Sequence, residues 1–256
     1  MQRCSQYKQP ILWNPDHGQV AWAELVTNVN GALQDATNPQ SRFKHVKLLL
    51  LSWVEDDANV YEELHELELQ FQRQFGYITK HYTIPSVRPE NSLEKKLSQV
   101  KDDWDKPENL IIVYYSGHGT TTGPWPCGLS TWCATRSGSP SLAWHTLQPM
   151  LQRSICDTVL LFNCCASGSA AMPEENTSLT ELLASCGKES LSVSAGLHSF
   201  TRNLISTLKT FNEPFSICDL WYRMIRNHGR LLGSTPLYVP LSGRGLPVSF
   251  LIHGHI

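Results

Sequence analysis

The chain has the size and composition of one ordinary globular domain. Its 256 residues are 41% hydrophobic, which is enough to bury a full core. A formal net charge of −2 gives no electrostatic case for binding nucleic acid or an anionic membrane. The leucine-rich stretch at residues 46–51 is far shorter than the ~20 residues of a membrane helix, and the polar N-terminus lacks the apolar core of a signal peptide. We therefore expect a cytoplasmic protein whose eight cysteines are reduced thiols.

The first half of the chain begins with a weakly patterned segment and then a strand and a helix. Residues 1–46 are predicted to be an N-terminal lead-in that packs on the domain, with a short helix near residues 21–29. Residues 47–54 are predicted to form the first, central strand. A helix over residues 60–75 follows, because its apolar residues recur at helical spacing, with the aspartates at 56–57 as its N-terminal cap.

A second strand and a second helix repeat this order. Residues 77–84 are predicted to be a strand, and the Asn-Ser pair at 91–92 caps a helix that runs to about Trp104. The next strand lies within residues 109–119, follows Pro107 and carries His118. This alternation predicts a parallel sheet with right-handed crossovers.

The second half continues the alternation after a polar segment. Residues 120–140 are rich in Thr, Gly, Ser and Pro and are predicted to be an exposed loop or hairpin. The remaining predicted elements are a crossover helix over residues 141–154, a strand within residues 157–168 that leads to Cys165, a strand over 179–185, helices over 198–211 (opened by Ser199) and 215–227, and a last, outer strand over 247–252.

Two of these strands end in small residues that include one reactive side chain each. Residues 109–119 deliver His118, and residues 157–168 deliver Cys165. Both runs are continuously apolar, as expected for strands buried on both faces of a parallel sheet. Ligands bind beyond the carboxyl ends of such strands, so we expect the imidazole and the thiol at the same edge. This arrangement places a base beside a nucleophile.

The two motifs together resemble the signature of caspase-like cysteine peptidases. Ser-Gly-His-Gly at 116–119 and Asn-Cys-Cys-Ala-Ser-Gly at 163–168 are similar to the metacaspase form and to the caspase-like domains of fungal proteins. The resemblance covers about residues 47–252. It implies a caspase-like domain over residues 47–256, with a three-layer α/β fold in which helices cover both faces of a mostly parallel central sheet of about six strands.

The resemblance also implies that the protein is a cysteine endopeptidase that uses a His/Cys dyad. Such an enzyme would act in regulatory or cell-death proteolysis. His118 would be the general acid/base and Cys165 the nucleophile, because a thiol is only slightly ionised at neutral pH without a base. The amides of Gly119 and Cys165 are the expected oxyanion donors. No third acidic residue is assigned. Of the adjacent cysteines, Cys164 is expected to point into the core.

In metacaspases the pocket for the residue before the scissile bond is acidic. Its residues correspond here to Ser116, Asn163 and, loosely, Glu63 or Glu62. Asn163 replaces an Asp and removes one charge, which weakens selection for a basic residue. We expect cleavage after Arg, Lys or neutral residues and little after Asp, because none of these positions holds an Arg. The expected partner is a protein or peptide substrate; no cofactor or metal is predicted, and calcium activation and the oligomeric state are left open.

The same features admit other interpretations. The chain could be a catalytically silent caspase-like interaction domain of a larger signalling protein, or an unrelated α/β binding module that matches the motif by accident. A zinc site at Cys127 and Cys133 is disfavoured by the spacing, and no second pair follows. The acidic residues around His65 are expected to be a solvated helix face. The tryptophans at 125, 132 and 144 are expected to pack in the core and rim, with a role in a substrate subsite as the alternative.

Overall fold

A central sheet is formed by the apolar runs of the chain. The structure is a computed structural model that describes residues 43–123, 128–192, 195–228, 234–243 and 247–252. The sheet strands are β1 (His45–Trp53), β2 (Ile78–Ile84), β3 (Asn109–Ser116), β7 (Asp157–Asn163), β8 (Thr180–Ala184) and β10 (Leu237–Ser242). They lie in the order β10-β8-β7-β3-β1-β2, and all neighbours are parallel except β10 and β8.

Helices cover both faces of this sheet. In the described part of the chain they are α1 (Tyr61–Phe75), α2 (Pro89–Trp104), α3 (Trp144–Gln152), α4 (Phe200–Leu208) and α5 (Ile217–His228). Side chains alternate along β1, so Leu48 and Leu50 pack with α1, α4 and α5, whereas Leu49 and Leu51 pack with α2 and α3. These two cores confirm the predicted three-layer α/β fold with a mostly parallel sheet.

Two small sheets lie outside the central one. One contains β4 (His118–Thr122), β5 (Leu129–Cys133) and β6 (Ser141–Leu142); the other contains β9 (Phe215–Ser216) and β11 (Ser249–Phe250). Residues 120–140 thus contain the predicted hairpin. They are not wholly exposed, because Trp132 on β5 is completely buried. A side chain of this size needs the core that α3 provides.

The outer strand was predicted in the wrong place. Residues 247–252 contribute only the short β11, which pairs with β9. The sixth strand of the central sheet is β10, which pairs with β8 in antiparallel orientation and has a register shift between Pro240 and Ser242. Pro240 lacks an N–H and is tolerated because β10 is an edge strand.

Helix starts differ from the sequence prediction in two places. α1 begins after Val60 without a side-chain cap, while Asp56 accepts hydrogen bonds from the N–H groups of Ala58 and Val60 in the preceding loop. α2 begins at Pro89 rather than at residues 91–92, because proline suits the first helical position. The predicted cap at Ser199 is confirmed, since its hydroxyl accepts from the Arg202 N–H of α4.

The predicted N-terminal lead-in falls almost entirely outside the described residues. Residues 1–42, which include nearly all of the predicted lead-in and its helix at 21–29, lie outside the described residues. The division of the chain at residue 46 therefore stays a prediction. No helix in the described ranges is long and apolar enough to cross a bilayer.

Candidate active site

Two neighbouring strands bring the predicted base and nucleophile to one edge of the sheet. β3 and β7 are parallel and end together, with Ser116 opposite Asn163. The Gly117 N–H then donates to the Asn163 carbonyl at 3.2 Å. His118 begins β4 immediately after this point, and Cys165 follows β7 by two residues. The sequence prediction that His118 and Cys165 share an edge matches this geometry.

Gly119 makes the closest approach between the histidine strand and the cysteine turn. An ideal Cβ built on Gly119 would lie 2.5 Å from the Cys165 carbonyl oxygen and 2.8 Å from Cys164 Sγ. Real Cβ atoms do not approach other atoms this closely, so only glycine fits here without a shift of the backbone. The two predicted oxyanion donors, Gly119 and Cys165, therefore belong to backbone segments in direct contact.

The adjacent cysteines occupy different environments. Cys164 is 2% exposed and lies in the core, where burial raises the pKa of its thiol well above the ordinary value. Cys165 is half-buried in a turn that continues through Ala166, which has a positive φ of 54°. The Cys165 Sγ accepts a hydrogen bond from the Ser192 N–H at 3.4 Å. The core position expected for Cys164 agrees with this burial.

His118 is hydrogen-bonded to the carboxylate of Asp57, which was not predicted to be part of the site. The Nε2 atom of His118 lies 2.5 Å from Asp57 Oδ1, and the second oxygen of Asp57 accepts the Arg136 N–H at 3.2 Å. The Arg136 N–H and, after it, His118 lower the pKa of Asp57. Asp57 is consequently an anion at neutral pH. It lies in the loop after β1, whose carboxyl end reaches the same edge of the sheet as β3.

The backbone of His118 is held by a buried tyrosine. The Tyr115 hydroxyl donates to the His118 carbonyl at 2.7 Å and accepts from Trp53 Nε1 at 3.0 Å. Burial raises the pKa of Tyr115, so the hydroxyl keeps its proton. The Tyr115 ring stacks on Trp132 with 3.8 Å between centroids, and Trp132 stacks on Trp144 at 4.1 Å. This core role excludes Trp132 and Trp144 from a substrate subsite, whereas Trp125 lies outside the described residues.

His118 and Cys165 do not hydrogen-bond to each other in this structure. Among the described residues, the imidazole bonds to Asp57 and the thiol to the backbone of Ser192. Catalytic hydrogen bonds are often absent or long in a protein without substrate and form only in the substrate complex. Both groups therefore lie at the same edge of the sheet, and each is hydrogen-bonded to a different residue.

Two of the three predicted pocket residues, Ser116 and Asn163, form part of one buried polar network. Asn163 donates to Ser116 Oγ at 3.1 Å and to Thr201 Oγ1 at 3.0 Å, and its Oδ1 accepts from the Ser192 hydroxyl at 3.0 Å. Tyr114 hydrogen-bonds to the same Thr201 hydroxyl at 2.7 Å. The amide of Asn163 thus has both donors and its acceptor engaged with protein groups.

Glu63 lies at the other end of this region, on α1. Its carboxylate accepts a hydrogen bond from the Gly196 N–H at 2.6 Å. Each of its two oxygens also lies 2.9 Å from Ser199 Oγ. Arg202 Nε lies 3.8 Å from the same carboxylate, and its Nη1 atom bonds to Glu66. A cation therefore already stands beside the predicted acidic group. This pairing could not be predicted from the sequence, because Arg202 is on a different helix, 139 residues further along the chain.

The acidic face of α1 is less solvated than the sequence predicts. Glu63 is 3% exposed, and Glu66 pairs with Arg202 and Lys209. Among the described residues, the glutamates of this helix face do not form a metal-binding group with His65. Of the two cysteines considered for zinc, Cys133 is buried, which raises its pKa, and Cys127 lies outside the described residues.

One group in the described ranges has the spacing to hold a metal ion. One ligand atom each from Asp56, Asp57 and His118 lie within 4.8 Å of one another. Two carboxylates and an imidazole suit zinc or another transition metal better than calcium, which prefers six to eight oxygen ligands. The sequence does not predict these residues as ligands, because two aspartates before a helix also fit an N-terminal cap.

Comparisons with known proteins agree on the fold. No protein-family model matches the sequence, and no curated protein sequence matches it. A solved structure of protein GSU0716 from Geobacter sulfurreducens aligns with a TM-score of 0.58 at 14% identity, covering 78% of this chain and 94% of that chain. Caspase-1 from Spodoptera frugiperda aligns with a TM-score of 0.56 at 11% identity, covering 86% of this chain and 94% of that chain. The protein therefore has a caspase-like fold.

Proposed function

We propose that the protein is a cysteine endopeptidase in which Cys165 is the nucleophile and His118 the general acid/base. The observation that supports this most is the direct contact between Gly119, next to the histidine, and the backbone of Cys165. This contact fixes the strand that presents the base against the turn that presents the thiol. The caspase-like fold supplies the same scaffold class as a known peptidase.

The proposed reaction needs one thiol, one base and two amide donors. Cys165 transfers its proton to His118, and the thiolate attacks the substrate carbonyl carbon to form a C–S bond. The carbonyl electron pair moves to oxygen, where the amides of Gly119 and Cys165 stabilise it. The C–N bond then breaks, and His118 protonates the leaving amine. A water molecule, deprotonated by His118, attacks the thioester and releases the acid and the thiol.

The substrate residue before the scissile bond is proposed to enter the region of Ser116, Asn163 and Glu63. The Asn163 amide is neutral, and Arg202 offsets the charge of Glu63. Strong selection for a basic residue would need an uncompensated carboxylate, so the proposed preference is for Arg, Lys or neutral residues, with little cleavage after Asp. Cytoplasmic regulatory or cell-death proteolysis is the process that such an activity implies.

A catalytically silent interaction domain is the second candidate. It is favoured by one observation: the thiol and the imidazole each have another partner and do not meet. An alkylating probe that labels activated cysteines separates the two candidates. Labelling of Cys165 that His118→Ala abolishes, together with cleavage of a peptide library, supports the peptidase. Absence of cleavage, with Cys165 labelling unaffected by His118→Ala, supports the silent domain.

A further inference from the structure

Asp57 contacts the proposed base through a hydrogen bond that joins distant parts of the chain. Its Oδ1 lies 2.5 Å from His118 Nε2, across 61 residues. The other oxygen accepts the Arg136 N–H of the loop between β5 and β6. The Asp57 carboxylate is therefore fixed at both oxygens, once by the histidine and once by the backbone.

This contact determines which ring nitrogen of His118 carries the proton. An ionised carboxylate only accepts hydrogen bonds, so the bonded Nε2 must be the donor. A neutral imidazole has one N–H, and Nδ1 is then left as the acceptor. Nδ1 is the nitrogen that remains available to take the proton of Cys165. Without Asp57 both tautomers would be populated, and one of them presents an N–H where a base is needed.

We propose that Asp57 is a positioning residue that holds His118 in the tautomer and orientation required of the base. The proposal rests on the proposed peptidase function. Asp57 also stabilises the imidazolium that forms once the thiol has given up its proton, as the acid of a serine-protease triad does. In such a triad, replacing the acid by its amide lowers kcat about 10⁴-fold. The Asp57 side chain is 49% exposed, so water can replace it in part, and we expect a smaller loss of about 10- to 100-fold.

The experiment compares Asp57→Asn and Asp57→Ala with a matched control, Glu55→Gln. Glu55 is an exposed carboxylate in the same loop, two residues before Asp57. The substrate is a peptide that the wild-type protein cleaves in the library experiment. In steady-state kinetics, kcat should be reduced about 10- to 100-fold in both Asp57 variants, with KM within about twofold of wild type. Glu55→Gln should retain wild-type kcat. Equal thermal midpoints of all variants would show that the fold is intact.

Chemical rescue distinguishes positioning from a structural effect. Because Asp57 is half-exposed, Asp57→Ala opens a space that formate can enter from solvent. Added formate should raise the kcat of Asp57→Ala several-fold and leave wild type and His118→Ala unchanged. Cys165 alkylation by iodoacetamide, which needs no substrate, should be slowed in Asp57→Ala and restored by formate.

Four other results would refute the proposal, and each would point to a different explanation. Wild-type kcat in Asp57→Asn would refute the positioning role while leaving the peptidase function in place. Equal losses in Glu55→Gln, or no rescue by formate, would assign the effect to the loop. Loss of wild-type activity on chelation with EDTA, restored by zinc, would assign Asp57 to a metal site with Asp56 and His118. A wild-type protein without cleavage, whose Cys165 alkylation does not depend on His118, would refute both the peptidase function and this role.

Discussion

Gly119→Ala tests whether the contact between the histidine strand and the cysteine turn sets the geometry of the site. The added Cβ would lie 2.5 Å from the Cys165 carbonyl oxygen, whereas ordinary contacts begin at 3.4 Å. The obstacle is backbone, so the two segments must separate by roughly 0.9 Å. A misplacement of about 1 Å in a catalytic site costs about 10²-fold in rate. Overpacking of this kind also costs about 1–3 kcal/mol of folding free energy.

The assay combines peptide cleavage with thermal unfolding. For Gly119→Ala we expect kcat/KM about 100-fold below wild type and a midpoint lower by about 2–12 °C, since each kcal/mol shifts a domain of this size by about 2–4 °C. Gly123→Ala is the matched control. Gly123 has a φ of +92°, so alanine is strained there, but its Cβ would have no atom within 4 Å. This control should lose stability and keep its activity.

The result that would refute the reasoning is an active Gly119→Ala. If this variant cleaves peptide at more than half the wild-type rate, the two segments do not need their close approach for catalysis. Equal loss of activity in Gly119→Ala and Gly123→Ala would show that the rate follows stability instead of alignment.

Three further predictions concern single side chains. Cys165→Ala should abolish peptide cleavage, whereas Cys164→Ala should keep most of it and cost about 1 kcal/mol in chemical denaturation; the reverse pattern would identify Cys164 as the nucleophile. Burial, and then Asp105, raise the pKa of Cys156 to about 12, and burial raises that of Cys164. Both should therefore stay unlabelled by iodoacetamide at pH 8 until the protein is denatured, which peptide mass spectrometry measures. Asn163→Asp should increase cleavage after Arg relative to neutral residues in a peptide library, because a charged acceptor strengthens the bond to a cation by about 1 kcal/mol; an unchanged profile would place the pocket elsewhere.

The sequence predicts the centre of the fold well because its strands are buried on both faces. β1, β3 and β7 are continuous apolar runs, and their identity does not depend on what packs against them. β10 could not be recognised in the same way. It is an edge strand with mixed exposure and a proline, so its sequence contains neither an apolar run nor a clean alternation.

The site shows a similar division between local and distant information. His118 and Cys165 each follow a strong strand signal with small residues, so the sequence alone places them. Asp57 depends on the sheet order, in which β1 lies beside β3, and a pair of aspartates before a helix also fits a cap. Nothing in the neighbouring sequence shows whether such an aspartate caps a helix or hydrogen-bonds to a histidine.

The stack of Tyr115, Trp132 and Trp144 has a consequence for how the site moves. Trp132 lies opposite Gly119 in the β4–β5 pair, and Trp144 belongs to α3. Two ring stacks contribute about 0.5–1.5 kcal/mol each beyond the area they bury, so a conformer with the hairpin detached is disfavoured roughly 5- to 150-fold by the stacks alone. Because Tyr115 belongs to β3, the stacks hold β4, β5 and α3 to the central sheet. A rearrangement that brings the imidazole to the thiol is therefore expected from rotation of the His118 side chain and not from bending of the hairpin.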